Sequence, residues 1–225
     1  GSAIIAGGGL YNFAASPTLA NCRFVGNHGE GRGGAVMNLH TSNPCFADCQ
    51  FEGNSASEAG SAIGCDWASS VKVTNCRFSE NQGAAMFIGD YSTARIDGSL
   101  FENSDGGGLY LDSLAAGFVS HCTFNDNRGS EVIVSLGSLV IEDSAFSNNP
   151  GIRCERKLSI QNTTFLGDST ILCTNGNLSI QDSMFQDGSG AVSTDSNGTF
   201  ELKNVAFLSC VSGRGGAVSG SGLID

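Results

Sequence analysis

Only 3 prolines stand in 225 residues, and 11 Lys and Arg face 22 Asp and Glu. Scarce proline leaves nearly every backbone N–H free to pair in ladders, and it assigns turns to Gly, Asn, Asp and Ser instead. The net charge of −11, with its basic residues scattered, excludes nucleic acid as a partner, because phosphate recognition needs clustered Lys and Arg. No apolar run reads as a membrane span or signal segment, so direct membrane insertion is not expected, and no useful amphipathic helical period appears. There is no C-x-x-C motif, and Cys45 with Cys49 has no matching His pair, so neither a metal nor a cofactor is expected. Asp105-Gly106-Gly107-Gly108 has the local form of a calcium-binding glycine repeat, but it occurs once.

What the chain does have is a repeat. Phe24, Phe51, Phe78, Phe101, Phe124, Phe146, Phe165, Phe185 and Phe207 are separated by 27, 27, 23, 23, 22, 19, 20 and 22 residues, a period typical of one supersecondary unit stacked on its neighbours. Five positions before each Phe stands an apolar residue, from Leu19 and Phe46 to Leu202, and two before stands a small one such as Cys22, Cys49, Cys76, Ser99 or Cys122. These two differ in parity, so the chain turns a corner between them. At minus three come Asn21, Asp48, Asn75, Gly98, His121, Asp143, Asn162, Asp182 and Asn204, types that mostly tolerate a left-handed backbone. Three residues past the Phe, Asn27, Asn54, Asn81, Asn127 and Asn149 predict a second corner, broken at Ser104 and Cys210. A third strand then opens on small residues, as in Gly33-Gly34-Ala35-Val36, Gly60-Ser61-Ala62-Ile63, Gly83-Ala84-Ala85-Met86 and Gly215-Gly216-Ala217-Val218. Three short strands per turn with like residues in columns describe an all-β parallel β-helix of about nine coils, each of 19–27 residues. At a coil spacing of about 4.8 Å it is a rod of roughly 40 Å.

The alternation of G-G-A-[ILV] at Gly33–Val36 and Gly215–Val218 with F-x-x-N at Phe24, Phe51, Phe78, Phe124 and Phe146 resembles the polymorphic outer membrane protein repeats of chlamydial autotransporters and their relatives. The resemblance spans the chain, although Pro150-Gly151-Ile152-Arg153 and Ser169-Thr170-Ile171-Leu172 replace the glycine motif in later repeats. It implies a right-handed, single-stranded β-helix on a secreted or surface-exposed protein, usually an adhesin passenger. Residues 1–225 read as one repeat domain without capping helices, a segment of something longer, whose partners are neighbouring repeats, other proteins or glycans.

The nine cysteines are placed by the repeat. Four occupy the small-residue column, where size explains them. Adjacent-coil pairs such as Cys22 with Cys49 or Cys154 with Cys173 fall within disulfide reach, and with an odd total at least one thiol stays unpaired. Three sequons, at Asn162, Asn177 and Asn197, are glycan acceptors if the chain is secreted by a eukaryotic cell.

Two surface columns are candidates for contact. Phe13, His40, Trp67 and Tyr91, followed by Leu114, stand ten or eleven residues before successive Phe residues. Stacked on adjacent coils, these rings either form a ribbon for sugar rings or a partner surface, or pack as satellite cores under their own loops. Tyr110 joins the candidate binding residues through a second column, Val36, Ile63, Met86, Tyr110, Ile133, Leu172, Val192 and Val218, which is either an outward apolar stripe or core; Arg153 favours outward. An enzyme reading is weighed against these. Asp66, Asp90 and Asp112 on three coils, with Lys72 and Arg95 on the following strand, would supply the carboxylates and the base of a polysaccharide lyase or hydrolase acting on an acidic polymer. The alternative is that these are ordinary turn-forming aspartates and solvated cations. No His-centred triad is visible. The favoured expectation is a non-catalytic extracellular scaffold or adhesin.

Overall fold

A computed structural model describes residues 2–3, 7–188, 192–195, 197–211, 217–220 and 222–224. Each turn of the chain gives one strand to each of three sheets, all pairings being parallel, so the described residues form a β-solenoid. The first sheet runs from Leu10–Phe13 through Ile63–Cys65 and Met86–Ile88 to Val218–Ser219. A second runs from Thr18–Ala20 through Ser70–Thr74 and Thr93–Asp97 to Gly222–Ile224. The third runs from Arg23–Val25 through Arg77–Ser79 to Ala206–Leu208, and it carries the nine phenylalanines of the repeat. A small sheet of Ser2–Ala3, His28–Gly29 and Ser55–Ala56 lies in the long loops of the first coils.

The nine phenylalanines of the repeat column stack directly over one another, with neighbouring ring centroids 4.5 to 5.3 Å apart. The ladder spacing dictates this separation, and it places each ring in van der Waals contact with the next. Val71, Val73, Ala94 and Ile96 of the second sheet, with Ile63, Met86, Leu109 and Ile133 of the first, complete a continuous narrow core.

The corner before each Phe is left-handed as expected, with φ from 46° to 59° at Asn21, Asp48, Asn75, Gly98, His121, Asp143, Asn162, Asp182 and Asn204. The corner after it differs from expectation. Its left-handed residue is one position earlier, at Gly26, Gly53, Glu80, Asn103 and Asp126, whereas the Asn three past the Phe points inward. Its amide is a ladder rung: Asn54 Nδ2 donates to Phe24 O (2.9 Å) while Asn54 Oδ1 accepts from Asn27 N (2.9 Å), and Asn81 does the same with Phe51 O and Asn54 N. Ser104 does not break this ladder, since its Oγ accepts from Asn81 N at 3.3 Å. Likewise the small-residue column is more than filler: Cys76 N donates to Ser99 Oγ, Cys122 N to Ser144 Oγ and Thr163 N to Ser183 Oγ at 3.0–3.1 Å. Buried N–H groups at both corners are thereby satisfied.

The glycine motif also needs correction. Gly33, Gly60, Gly83 and Gly107 lie in a corner with positive φ, and the strand itself begins at Val36, Ile63, Met86 and Leu109. Val36, Ile63, Met86, Ile133 and Val192 are buried, so that column is core, not an outward stripe. Ala35 and Ala62 are buried too, because two consecutive residues both face inward where the chain rounds the corner. Tyr110 and Leu172 are not in that column. They pair with Phe87 and Arg153, one residue further on, facing outward. Gly215 and Gly216 lie outside the described residues.

Candidate functional site

The corner between the first and second sheets carries a ridge of rings. His40 and Trp67 adopt left-handed backbone (φ 54° each), which turns their side chains out of the coil. Behind them a buried serine column fixes the corner: Ser42 Oγ donates to Leu39 O, Ser69 Oγ donates to Asp66 O, and Ser92 Oγ accepts from Ser69 N. On this rigid support Phe13 and His40 lie 4.2 Å apart between centroids, and His40 and Trp67 4.3 Å apart, edge to face. Phe13 remains 55% exposed, Trp67 51% and Tyr91 70%, so the rings are not a satellite core. Tyr91 lies past Trp67 in register, since Ala68 N donates to Asp90 O, and no ring contact joins it to Trp67 among the described residues. Tyr110 is elsewhere, on the outward face of the first sheet, stacked 5.7 Å from Phe87.

The carboxylates and bases of the enzyme reading do not gather. Asp66 and Asp112 share one column at the end of the first-sheet strands, but Gly89 is the residue between them and Asp90 is one position further on. Asp66 is buried and committed, its Oδ2 2.6 Å from Arg32 Nη1 and its Oδ1 2.9 Å from Trp67 N. Lys72 and Arg95 pair in register on the second sheet, beyond the left-handed corner. Arg95 lies 4.6 Å above the Phe118 ring, in a shallow groove of about 370 Å³ that also takes in Asp97, His121 and Glu142. Among the described residues no three metal-ligating side chains gather.

In that groove His121 Nδ1 is 2.9 Å from Asp97 Oδ1, with Asp143 on its far side at 3.7 Å. Hydrogen bonds from Ser120 and then from His121 hold Asp97 below the usual carboxylate range, and the Asp97 bond raises His121 above the usual imidazole range. The sign follows from linkage: the His121 contribution is fully present below about pH 6.5 and fades as pH rises through its raised value, whereas the Asp97 contribution fades as pH falls through its lowered one. NMR titration of the His121 ring is expected to give a value above the ordinary one, returning toward it in Asp97→Asn. An unchanged titration in that variant would refute the pairing.

Cys154 and Cys173 face each other in register, sulfurs 2.8 Å apart, as free thiols. Burial pushes the Cys65 and Cys76 thiols up to about 12, so they are poor nucleophiles. The three sequon asparagines are exposed, Asn162 at a left-handed corner and Asn177 at the start of a second-sheet strand, with Asn197 hydrogen-bonded to Asn175. Sequence reasoning passed over Arg32 and Phe87: the Arg32 guanidinium lies 4.4 Å over the Phe87 ring and 3.2 Å from Glu58. The available signal was loop length, since twelve positions separate Phe51 from Ile63 but only eight separate Phe78 from Met86.

Residues 61–223 match the family model described as right handed beta helix region, well over half of the chain. The chain belongs to the right-handed β-helix family. Comparison with curated proteins and with solved structures finds no match. As a right-handed β-helix, the rod joins a family whose membership leaves scaffold and enzyme both open, so function rests on the surface.

Proposed function

We propose that this β-helix is a non-catalytic scaffold of a cell-surface or secreted protein, of the polymorphic outer membrane protein type, that holds partners or glycans against the Phe13, His40 and Trp67 ridge. The observation that carries this reading is the ridge: three touching rings, with Phe13 and Trp67 half exposed and His40 partly buried between them, on a corner whose backbone is locked by buried serines. Ring faces held rigid bury contact area at little entropic loss on binding. The pairing of glycine corners with F-x-x-N turns supports the family type, and the acidic, glycine-rich composition supports an extracellular setting. The separation of Lys72 and Arg95 from Asp90 and Asp112, with Asp66 tied to Arg32, weighs against the lyase or hydrolase alternative.

A glycan array and a pull-down of surface proteins test the ridge. Trp67→Ala and Tyr91→Ala are expected to lower the signal, the former by more than about tenfold as for a central aromatic anchor. Binding that survives both variants retires the ridge. Release of unsaturated products from uronic-acid polymers, lost in Asp90→Asn, would replace the scaffold by an enzyme.

A further inference from the structure

The outward residues Met37, Gly64, Phe87 and Tyr110 of the first sheet are in one register column. In the early coils the chain roofs this column itself. A Cβ at Gly64 would lie 3.0 Å from Gly33 N, and one at Gly60 would lie 2.8 Å from Phe87 Cβ, so each long loop rests on the strand of the next coil. Met37 and Phe87 are accordingly only 4% and 3% exposed. Where the loop shortens by four residues, after Phe78, the roof stops. Gly83 has open space where its Cβ would be, and a half-open groove of about 380 Å³ remains, lined by Phe87, Tyr110, Asp112, Gln82, Glu58 and Arg32.

The roofed coil shows which chemistry this surface accepts. Over Phe87 sits a guanidinium, held by Asp66 and Glu58. Asp66 uses Oδ1 to accept its following backbone N–H, Trp67 N, and Oδ2 to hold the cation. Asp112, in the same column two coils on, repeats the first half of this arrangement: its Oδ1 accepts from Ser113 N at 2.6 Å. Its Oδ2 has no partner among the described residues. Tyr110, beside it, offers a ring nearly parallel to Phe87 (20°) and only partly buried. Locally three carboxylates, Glu58, Asp66 and Asp112, face the single cation Arg32, on a chain of net charge −11.

We propose that the groove over Tyr110 and beside Asp112 is a binding site for the arginine side chain of a protein partner, which would take there the place that Arg32 takes over Phe87. The partner's guanidinium lies on the phenol ring and donates to Asp112 Oδ2. A guanidinium suits this site better than an ammonium because it is planar, stacks on ring faces and is weakly hydrated. This site is on a different face from the ridge and stands or falls separately.

The probe is acetyl-Gly-Arg-Gly-amide, titrated into ¹⁵N-labelled protein, with the citrulline and lysine peptides beside it. Saturable amide shifts are expected at Tyr110 and Asp112 with the arginine peptide, weaker ones with lysine and none with citrulline. Asp112→Asn is expected to weaken binding by about tenfold, while Trp67→Ala leaves it unchanged. The same spectra report whether each variant is folded. No saturable shift with arginine, equal shifts with citrulline, or full affinity in folded Asp112→Asn would each overturn the site.

Discussion

Phe124→Ala is expected to destabilise the rod by about 3–5 kcal/mol, the range for emptying a buried phenylalanine site. The ring is fully buried between Phe101 at 4.7 Å and Phe146 at 4.6 Å. Its far edge fills the space above Gly108, where a Cβ would come within 2.6 Å of Cε1. The cavity cannot collapse readily, because parallel ladders on three sheets fix the coil spacing from both sides. Stability of a solenoid is close to a sum of coil and interface contributions, so a defect at mid-rod weakens two interfaces at once. Phe207→Ala, at a partly buried position with one described ring neighbour, is expected to lose about half as much. Guanidinium unfolding followed by far-UV circular dichroism measures both. Equal losses at the two positions, or less than about 1 kcal/mol at Phe124, would mean that the stack contributes area but no column effect.

Particular residues show how far this architecture was legible beforehand. The phenylalanine period and the left-handed residue three before it are plain because each is a strong constraint repeated nine times, and a Gly, Asn, Asp or His, types that tolerate that backbone, stands at every one of those corners. The third strand was harder. Inward and outward residues alternate along a strand but not around a corner, and Ala35 and Val36 are both buried, so parity counted from the glycines fails. Unequal loops then shift a column by one, so that counting from the glycines sets Tyr110 beside Val36 although its register partner is Phe87. A single-residue slip inverts the face of a strand. The aromatic ridge suffered the same offset more mildly: His40 and Trp67 share a register position, while Phe13 and Tyr91 fall to either side of it. The carboxylate and base candidates fall on different faces, since a left-handed corner lies between Asp66 and Lys72 though they are six residues apart. Asn at the second corner was recognised by type as a turn former, yet its backbone is not the left-handed one there. Its side chain carries the role, and side-chain hydrogen bonds between coils have no signature in spacing alone.

That role sets the second large expectation. Asn54→Ala should destabilise the protein by about 3–5 kcal/mol, comparable with loss of a core phenylalanine despite removing only a small polar group. Asn54 is fully buried and makes four bonds: Oδ1 accepts from Asn27 N and Asn27 Nδ2, and Nδ2 donates to Phe24 O and Asn81 Oδ1. Alanine strands a buried N–H and a buried carbonyl, each at about 1–3 kcal/mol, with no route for water between stacked coils. Serine distinguishes this account from simple loss of volume. Ser104 already occupies a rung of the same column, accepting from Asn81 N through Oγ and donating back to Glu102 O, without an amide for the neighbouring coil's carbonyl. Asn54→Ser should therefore restore the acceptor but not the donor and lose roughly half of what alanine loses, whereas Asn54→Leu, larger and wholly apolar, should be at least as damaging as alanine. Chemical denaturation of the three variants, with amide hydrogen exchange at Asn27, orders them. If leucine proves milder than serine, packing rather than hydrogen bonding holds this corner, and the rungs from Asn27 to Asn149 are bystanders to a coil spacing set elsewhere.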